Sequence, residues 1–404
     1  FSTIQQAILT KHNQHQSTDK KTSINISFGV VRMANISPCV ELTKYLLQAQ
    51  YPENTQVKVM AYHSQQVLLL RHEQEKYLDA VLKRKEKQGE EQQALANPII
   101  RKHLDTLSRN NKTAQNIIFI LVATPVEEVG RDHDFDWAIV EPSSYRSIVQ
   151  LAGRVRRHRT DGVEQANIGL MQYNIKAFKN NDKAGEVYFS KPGYEDEYKM
   201  TTSTGQGLPF HDLTKLINED QISTNLNAIP RIQKLPQSEK HILAAVEHKV
   251  TAKDLTSFTS VGANTLQGYL TETWYLTALP QVLTPFRQSE ASINLFLFYN
   301  ENSDSCYFTQ KDEAGKTLLD ESNQAINREG ILNISHTILT ESERKNLWLE
   351  RNYQALLPQY MSEPWLISTK RVSLRYGEIN FVERENTEFE YNDQFGLCKK
   401  EPEK

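Results

Sequence analysis

Cysteine is scarce in this chain: Cys39, Cys306 and Cys398 are the three in 404 residues, far apart and without a C-x-x-C pair. That excludes a disulfide scaffold and suggests no zinc site. No run approaches the roughly 18 apolar residues of a bilayer span, and no secretory signal opens the chain. Net charge is also small, at −3, but it hides an asymmetry. Residues 1–175 carry 22 Lys and Arg against 18 Asp and Glu, a surplus of +4, which leaves −7 for the remainder. With 38% hydrophobic and 24% charged residues the composition is that of an ordinary globular chain, and its length exceeds a typical single core. Two domains and a cytoplasmic setting are therefore expected.

The most informative stretch runs from Asn116 to Arg159: an apolar strand, an acidic loop, a short apolar run from Trp137 to Val140, and a helix carrying Q-x-x-G-R-x-x-R. Gln150, Gly153, Arg154 and Arg157 fall at i, i+3, i+4 and i+7, so one helical face would present an amide and two guanidiniums. Two such forks suit a triphosphate whose charge grows during cleavage. The competing reading is a solvated basic helix end, the usual fate of a run such as RVRRHR. Favouring the first is ILVAT (Ile120 to Thr124), a buried-strand pattern that stops at Thr124. Polar residues then cluster where strands end, which is where open α/β sheets place ligands.

Upstream, Ile24 to Leu47 reads as strand, loop and helix, with Asn35, Ser37 and Pro38 as helix-start residues. Val57 to Ser64 is a second strand ending in His63 and Ser64. Gln65 to Lys112, rich in Lys, Arg, Glu and Gln, predicts a long solvated helix breaking near Gly89, after which Pro98 opens an amphipathic pattern.

In these residues the chain resembles motifs V and VI of superfamily two helicases, and within them the type I CRISPR-associated helicase-nuclease family (Cas three). That family's motif V is similar to A-T-Q-V-x-E-x-x-x-D-x-D-F-D. Ala123, Thr124, Val126, Glu128, Asp132, Asp134, Phe135 and Asp136 stand in that register, and Pro125 departs from it. The wording is closest to subtype I-F, in which a Cas-two module is fused at the front. Residues 24–47 look like motif IV and 57–64 like motif IVa. The resemblance implies an α/β fold: a second RecA-like helicase domain at 1–177, a linker at 178–236 rich in turn residues, and a mixed α+β C-terminal accessory domain at 237–404.

The family's ATPase needs a G-x-x-x-x-G-K-[ST] loop and a D-E-x-x box for magnesium, and its nuclease needs several His and Asp ligands. No such loop is found here, and no D-E-x-x box or nuclease ligand set is assigned. Gly315 to Thr317 has Gln310 where the first glycine belongs, and at the HD dipeptide His211–Asp212 the aspartate is read as a helix cap. Because the chain opens at Phe1, the expectation is a rear portion of a larger polypeptide. Its front would carry the Cas-two module, the HD nuclease with its divalent metals, and the first RecA-like domain.

In the last third, helices are expected at EKHILAAVEHKV, around NTLQGYLTETWYLTALP and over ESERKNLWLERNYQALLPQY. Strands are expected at SINLFLFYN, CYFTQK and 362–385, with a polar frayed end from Asn386. Trp274, Tyr275, Trp348 and Trp365 read as core or interface residues.

The implied mechanism is that of one wall of an ATP site. Arg154 and Arg157 would act as arginine fingers, Gln150 and Gly153 would lie against the phosphates, and Gly130 and Asp132 near the nucleotide sugar. Thr124, Arg32, His63 and Ser64 would hold single-stranded DNA through its backbone. ATP and Mg2+ would be shared with the front domain. The implied partner is the type I-F Cascade (Csy) complex, with Cas one and anti-CRISPR proteins as further candidates, and unwinding would run 3′ to 5′. Two rivals are a different superfamily two helicase, which would lack the D-x-D-F-D run, and a non-catalytic binding module derived from a helicase, which would have no need of Arg154 and Arg157.

Overall fold

A computed structural model describes residues 1–86, 92–111, 113–128, 130–159, 162–189, 208–217, 291–312, 314–321, 324–361 and 368–400, with positions 243, 244, 247, 277, 278 and 282. These residues form two compact units. One comprises Phe1–Val140, Gly153–Leu170 and Ser292–Lys404, and the other Glu141–Ala152 with Met171–Ala291.

The first unit is built on a parallel sheet. β2 (Asn25–Arg32), β3 (Thr55–Tyr62), β4 (Asn116–Ala123), β5 (Trp137–Val140) and β6 (Ile168–Leu170) lie in the order β3-β4-β2-β5-β6, and a two-residue β1 (Ser17–Thr18) pairs antiparallel with β2. Strands β2 and β4 are buried from their second residue to their last, the continuous apolar pattern of a sheet covered on both faces. Gly29 pairs with Trp137, the first residue of β5, and a Cβ there would come within 2.1 Å of the Trp137 indole. The strand thus approaches the aromatic ring at a distance that glycine permits.

Helices α1 (Ser2–His15), α2 (Ile36–Gln48), α3 (Leu68–Leu82) and α4 (Pro98–Asn110) complete the layers. Pro98 stands in the first turn of α4, and the Asn97 side chain accepts the Ile99 N–H. The expectation of a solvated helix after Gln65 fails. Leu69, Leu70, Tyr77, Leu78, Val81 and Leu82 of α3 are buried, because its charged residues alternate around an apolar stripe broad enough to pack.

The end of the chain belongs to the same unit. β7 (Ile293–Asn300) pairs antiparallel with β8 (Ser305–Gln310) and with β10 (Glu378–Phe381), while β11 (Phe389–Asn392) and β12 (Gly396–Lys399) form a hairpin beside β9 (Ile334–His336). β7 and β8 match the expected strands. Three other expectations do not hold. The single helix over ESERKNLWLERNYQALLPQY is broken into Glu341–Lys345, Tyr353–Leu356 and a 3₁₀ turn, because Leu347 leaves the helix to form a bridge with Val59 on the edge of β3. Within the predicted strand region, Thr369–Tyr376 is a helix capped by Ser368. The stretch from Asn386, predicted to be frayed, holds the β11–β12 hairpin with Phe389, Tyr391, Leu397 and Cys398 buried.

Trp348 is the centre of this docking. It is fully buried, its ring centroid lies 5.3 Å from Phe119 and 5.9 Å from Phe28, and its indole N–H donates to the Tyr77 hydroxyl at 2.9 Å. Its backbone N–H donates to Val59 O, and its carbonyl accepts from His103. A residue near position 350 therefore fills the core of the sheet formed by the first 140.

In the second unit, α5 (Tyr145–Ala152) has its first N–H groups held by the Glu247 carboxylate, and Asp212 caps the short helix Leu213–Leu216, as its sequence suggests. His211 pairs with Asp182 at 2.8 Å. Most of the residues read as helices at 239–250 and around Trp274, and Trp365 itself, lie outside the described residues.

Candidate functional site

Sheet register aligns the carboxyl ends of the strands: Tyr62 pairs with Ala123, Ala123 with Arg32, and Arg32 with Val140. Three of the sequence-derived candidates, Arg32, His63 and Thr124, therefore meet at one edge of the sheet. Their side chains are not equally available. Arg32 is fully buried and donates from Nε to Glu128 Oε1 at 2.7 Å. Thr124 is buried, and its N–H donates to Tyr62 O.

His63 is fully buried beneath the C-terminal hairpin. Its Nε2–H donates to Phe395 O at 2.8 Å, and Nδ1 accepts from the Gln65 N–H at 3.2 Å, which selects one neutral tautomer. Burial pushes its pKa down to about 4. Gln66, Gln74, Arg351 and Gln394 extend this buried network, with Arg351 donating to Gln74 Oε1 at 2.6 Å. In this conformation Arg32 and His63 present no surface to a nucleic acid. Ser64 is exposed, and its carbonyl accepts from Arg71.

The basic run after α5 is arranged differently from the single helical face expected. Helix α5 ends at Ala152, so Gln150 is exposed in its last turn, while Gly153, Arg154 and Arg157 lie in the turns beyond it. Glycine at the helix end favours termination. The chain then runs alongside the acidic loop: Phe135 N–H donates to Arg154 O at 2.8 Å and Arg156 N–H to Phe135 O at 2.9 Å, a parallel bridge between Phe135 and Val155. Arg156, between the two candidate fingers, holds a left-handed φ of 50°. That region is sparsely used by residues with a side chain and is found disproportionately at functional sites.

Arg154, Arg157, His158 and Arg159 each have a partner in the loop after β4. Arg154 is buried, and Nη2 donates to Glu128 O at 2.9 Å. Arg157 donates from Nε to Asp132 Oδ1 at 2.8 Å, with a 39% exposed side chain. His158 reaches the same oxygen at 2.9 Å. The bond from Arg157 holds the Asp132 carboxyl below its usual range. Gly130 is exposed at φ 71°, conformational freedom that glycine supplies in this loop.

Deeper in, Arg159 donates to Asp134 Oδ1 and to Asp136 Oδ1, each at 2.6 Å, and Arg84 donates to Asp136 Oδ1 at 2.7 Å. Asp136 Oδ2 accepts the Phe28 N–H at 2.7 Å. Burial alone would raise the Asp136 carboxyl, but the charges of Arg84 and Arg159 hold it well below the usual carboxylate range. Burial would lower Arg159, and the same carboxylates raise it instead. Sequence reasoning missed Arg84 and Arg159. The available signal was the match between three carboxylates at alternate positions, 132, 134 and 136, and a basic run some twenty residues on.

Chemically, the site is an acidic loop at the carboxyl ends of a parallel sheet, with two guanidiniums on one turn held against it. Arg157 is open to solvent and held by a carboxylate that is itself about a third exposed, so an anion with several oxygens could draw it away. The donor set fits a polyphosphate. Among the described residues, no group of three or more His, Cys, Asp and Glu is arranged to hold a metal ion, and none of the described helices is long and apolar enough to cross a membrane.

Residues 25–160 match the family model described as CRISPR-associated nuclease/helicase Cas3, C-terminal. The CRISPR-associated nuclease/helicase Cas3 subtype I-F/YPEST of Pectobacterium atrosepticum is 35% identical over 392 residues, 93% of this chain and 32% of that protein. Its namesake in Pseudomonas aeruginosa is 32% identical over 400 residues, 96% of this chain and 33% of that protein. A crystal structure of T. fusca Cas3 with AMPPNP aligns with 98% of this chain and 40% of that one, at 14% identity and a TM-score of 0.42. The chain thus spans about a third of the length of the two curated relatives it matches. On the two sequence matches and the family model, it belongs to the CRISPR-associated Cas3 nuclease/helicases, subtype I-F, as a C-terminal portion.

Proposed function

We propose that this chain supplies the second wall of the ATP site and part of the DNA track of a 3′ to 5′ single-stranded-DNA translocase within a helicase-nuclease. The reading rests above all on the turn that holds Arg154 and Arg157 against the acidic loop after β4, with Arg157 open to solvent. ATP with Mg2+ would bring a reactive phosphoanhydride held mainly by the front domain. Arg157 would leave Asp132 for the outer phosphates, Arg154 would stabilise the growing charge from its place on the Glu128 carbonyl, and exposed Gln150 would orient phosphate or water. Gly153 would let the backbone approach the phosphates, and Gly130 and Asp132 would border the nucleotide.

At the strand ends, Thr124 and Ser64 would contact the DNA backbone. Arg32 and His63, both buried, would hold the loops that present them. Contacts of this kind read no sequence, so targeting would come from a partner, the type I-F Csy complex, that opens the DNA. Accessory boundaries near 177 and 237 belong to the same proposal.

The test is DNA-stimulated ATP turnover by the full-length protein carrying Arg154→Ala or Arg157→Ala. Each change is expected to lower turnover by about 10³-fold or more, with folding and most DNA affinity retained. Wild-type turnover in both variants would refute the finger assignment.

A further inference from the structure

Four charged side chains, Arg84, Asp134, Asp136 and Arg159, lie together under the arginine turn. Three are at most 5% exposed at the side chain, and Arg159 is 16% exposed. Burying four charges is costly, and replacing such a cluster by apolar residues is often neutral or stabilising elsewhere. Its use here must then be geometric. The cluster joins three separate parts of the chain. Asp136 is tied to the middle of β2 by the Phe28 N–H, and Arg84, just past the end of α3, stacks over the Phe28 ring at 5.2 Å and donates to the Asp134 carbonyl. Asp134 also accepts the His158 backbone N–H at 3.1 Å, next to Arg157 in the chain. Arg159 closes the set with bonds to Asp134, Asp136 and the Phe135 carbonyl.

The turn is therefore fixed at both ends, by the Phe135–Val155 bridge and by Arg159, with Arg156 in its left-handed conformation and Arg157 between them. Unlike Arg84 and Arg159, Arg157 is paired with a half-open carboxylate. The backbone beneath it is held at both ends, while its guanidinium is held by one exchangeable ion pair, to Asp132, and by a hydrogen bond from Nη1 to the Gly153 carbonyl at 3.1 Å within the same turn.

We propose that Arg84 and Arg159, acting through Asp134 and Asp136, are positioning residues for ATP hydrolysis: they hold the 154–159 turn fixed so that Arg157 can exchange Asp132 for phosphate oxygens without the turn moving. This inference rests on the finger reading of Arg154 and Arg157. Lysine in place of either arginine keeps the charge but loses the planar fork that bridges two carboxylates.

The experiment uses the full-length protein with Arg159→Lys and, separately, Arg84→Lys, measuring kcat and KM for ATP with single-stranded DNA, DNA affinity, and Tm. In each variant kcat is expected to fall about tenfold or more, as for a misplaced catalytic group. KM and DNA affinity should change by less than about threefold, and Tm only slightly. Under single-turnover conditions in an Arg157→Ala background, Arg159→Lys should add no further loss, because a residue acting through Arg157 has nothing left to position. Wild-type kcat in both lysine variants, an equal fractional loss in both backgrounds, or a fall in Tm large enough to account for lost activity would each overturn the proposal. If Arg157→Ala itself keeps wild-type turnover, the finger reading fails; if it does not while Arg159→Lys behaves as wild type, only the positioning role fails.

Discussion

Two regions fasten distant parts of the chain to the same parallel sheet, and they do so by opposite means. At the edge of β3, Trp348 and the β11–β12 hairpin dock chiefly through apolar area and hydrogen bonds to uncharged groups, with Trp348 against both Phe28 and Phe119, His63 closed under Phe395, and the buried Arg351 guanidinium bonded to the Gln74 side chain and the Gln394 carbonyl. Beneath the arginine turn, the 154–159 segment is held almost wholly by charge, from the half-open Asp132–Arg157 pair to the enclosed Asp136–Arg159 pair. Apolar docking has no alternative partner in water and stays closed. An ion pair can trade one anion for another at little net cost if both sites are near solvent. The difference teaches where movement is affordable: at the rim of the charged region, and not beneath the hairpin.

The largest effect on stability should come from the apolar side of this comparison. Trp348→Ala removes a fully buried indole, its contacts with two phenylalanines and the partner of the Tyr77 hydroxyl. A loss of about 3–5 kcal/mol in unfolding free energy is expected, read by denaturant titration. A loss under about 1 kcal/mol would mean that the 346–348 segment rests on the sheet without holding it, and the contrast between the two regions would disappear.

An intermediate effect should follow from acid. His63 titrates near 4 in the folded chain against about 6.5 when unfolded. Its folded pKa is depressed, so its contribution to stability is fully present above about pH 6.5 and is lost as pH falls toward 4. Each unit in that window should cost about 1.4 kcal/mol. Protonation of Nδ1 would also break the bond from the Gln65 N–H. His103, likewise lowered to about 4, adds a second such group on the Trp348 carbonyl. In His63→Gln the slope of stability between pH 6.5 and 4.5 should be shallower than in wild type. An unchanged slope would show that this histidine is reached by water after all.

The sheet was legible in sequence because β2 and β4 are continuous apolar runs ending in polar residues, a pattern with few other solutions. The position of Thr124 at a strand end followed from it. The state of the arginine turn did not. A spacing of i, i+3, i+4 and i+7 predicts one face only while the helix lasts, and α5 stops at Ala152 before the first arginine. The C-terminal hairpin was hidden by composition: Tyr391, Asn392, Gln394 and Gln66 look like solvent-facing residues, yet the Tyr391 hydroxyl donates to Asp393, and the amides bond one another and backbone. Likewise, no local pattern could show that Trp348 fills a core formed some 230 residues earlier by Phe119.

The smallest effect on stability should be at the rim of the charged region. Asp132 and Arg157 are both more than a third exposed, so water screens their attraction, and pairs of that kind contribute about 0–1 kcal/mol. Asp132→Asn keeps the shape and removes the charge that Arg157 and His158 share. Unfolding free energy should change by less than about 1 kcal/mol, whereas the apolar dock should respond several times more strongly to Trp348→Ala. The same substitution should release Arg157 toward phosphate, so KM for ATP is expected to fall or hold rather than rise. A stability loss comparable to that of Trp348→Ala would make the charged rim as fixed as the apolar dock, and the Arg157 side chain would then have no freedom to leave Asp132 for a nucleotide.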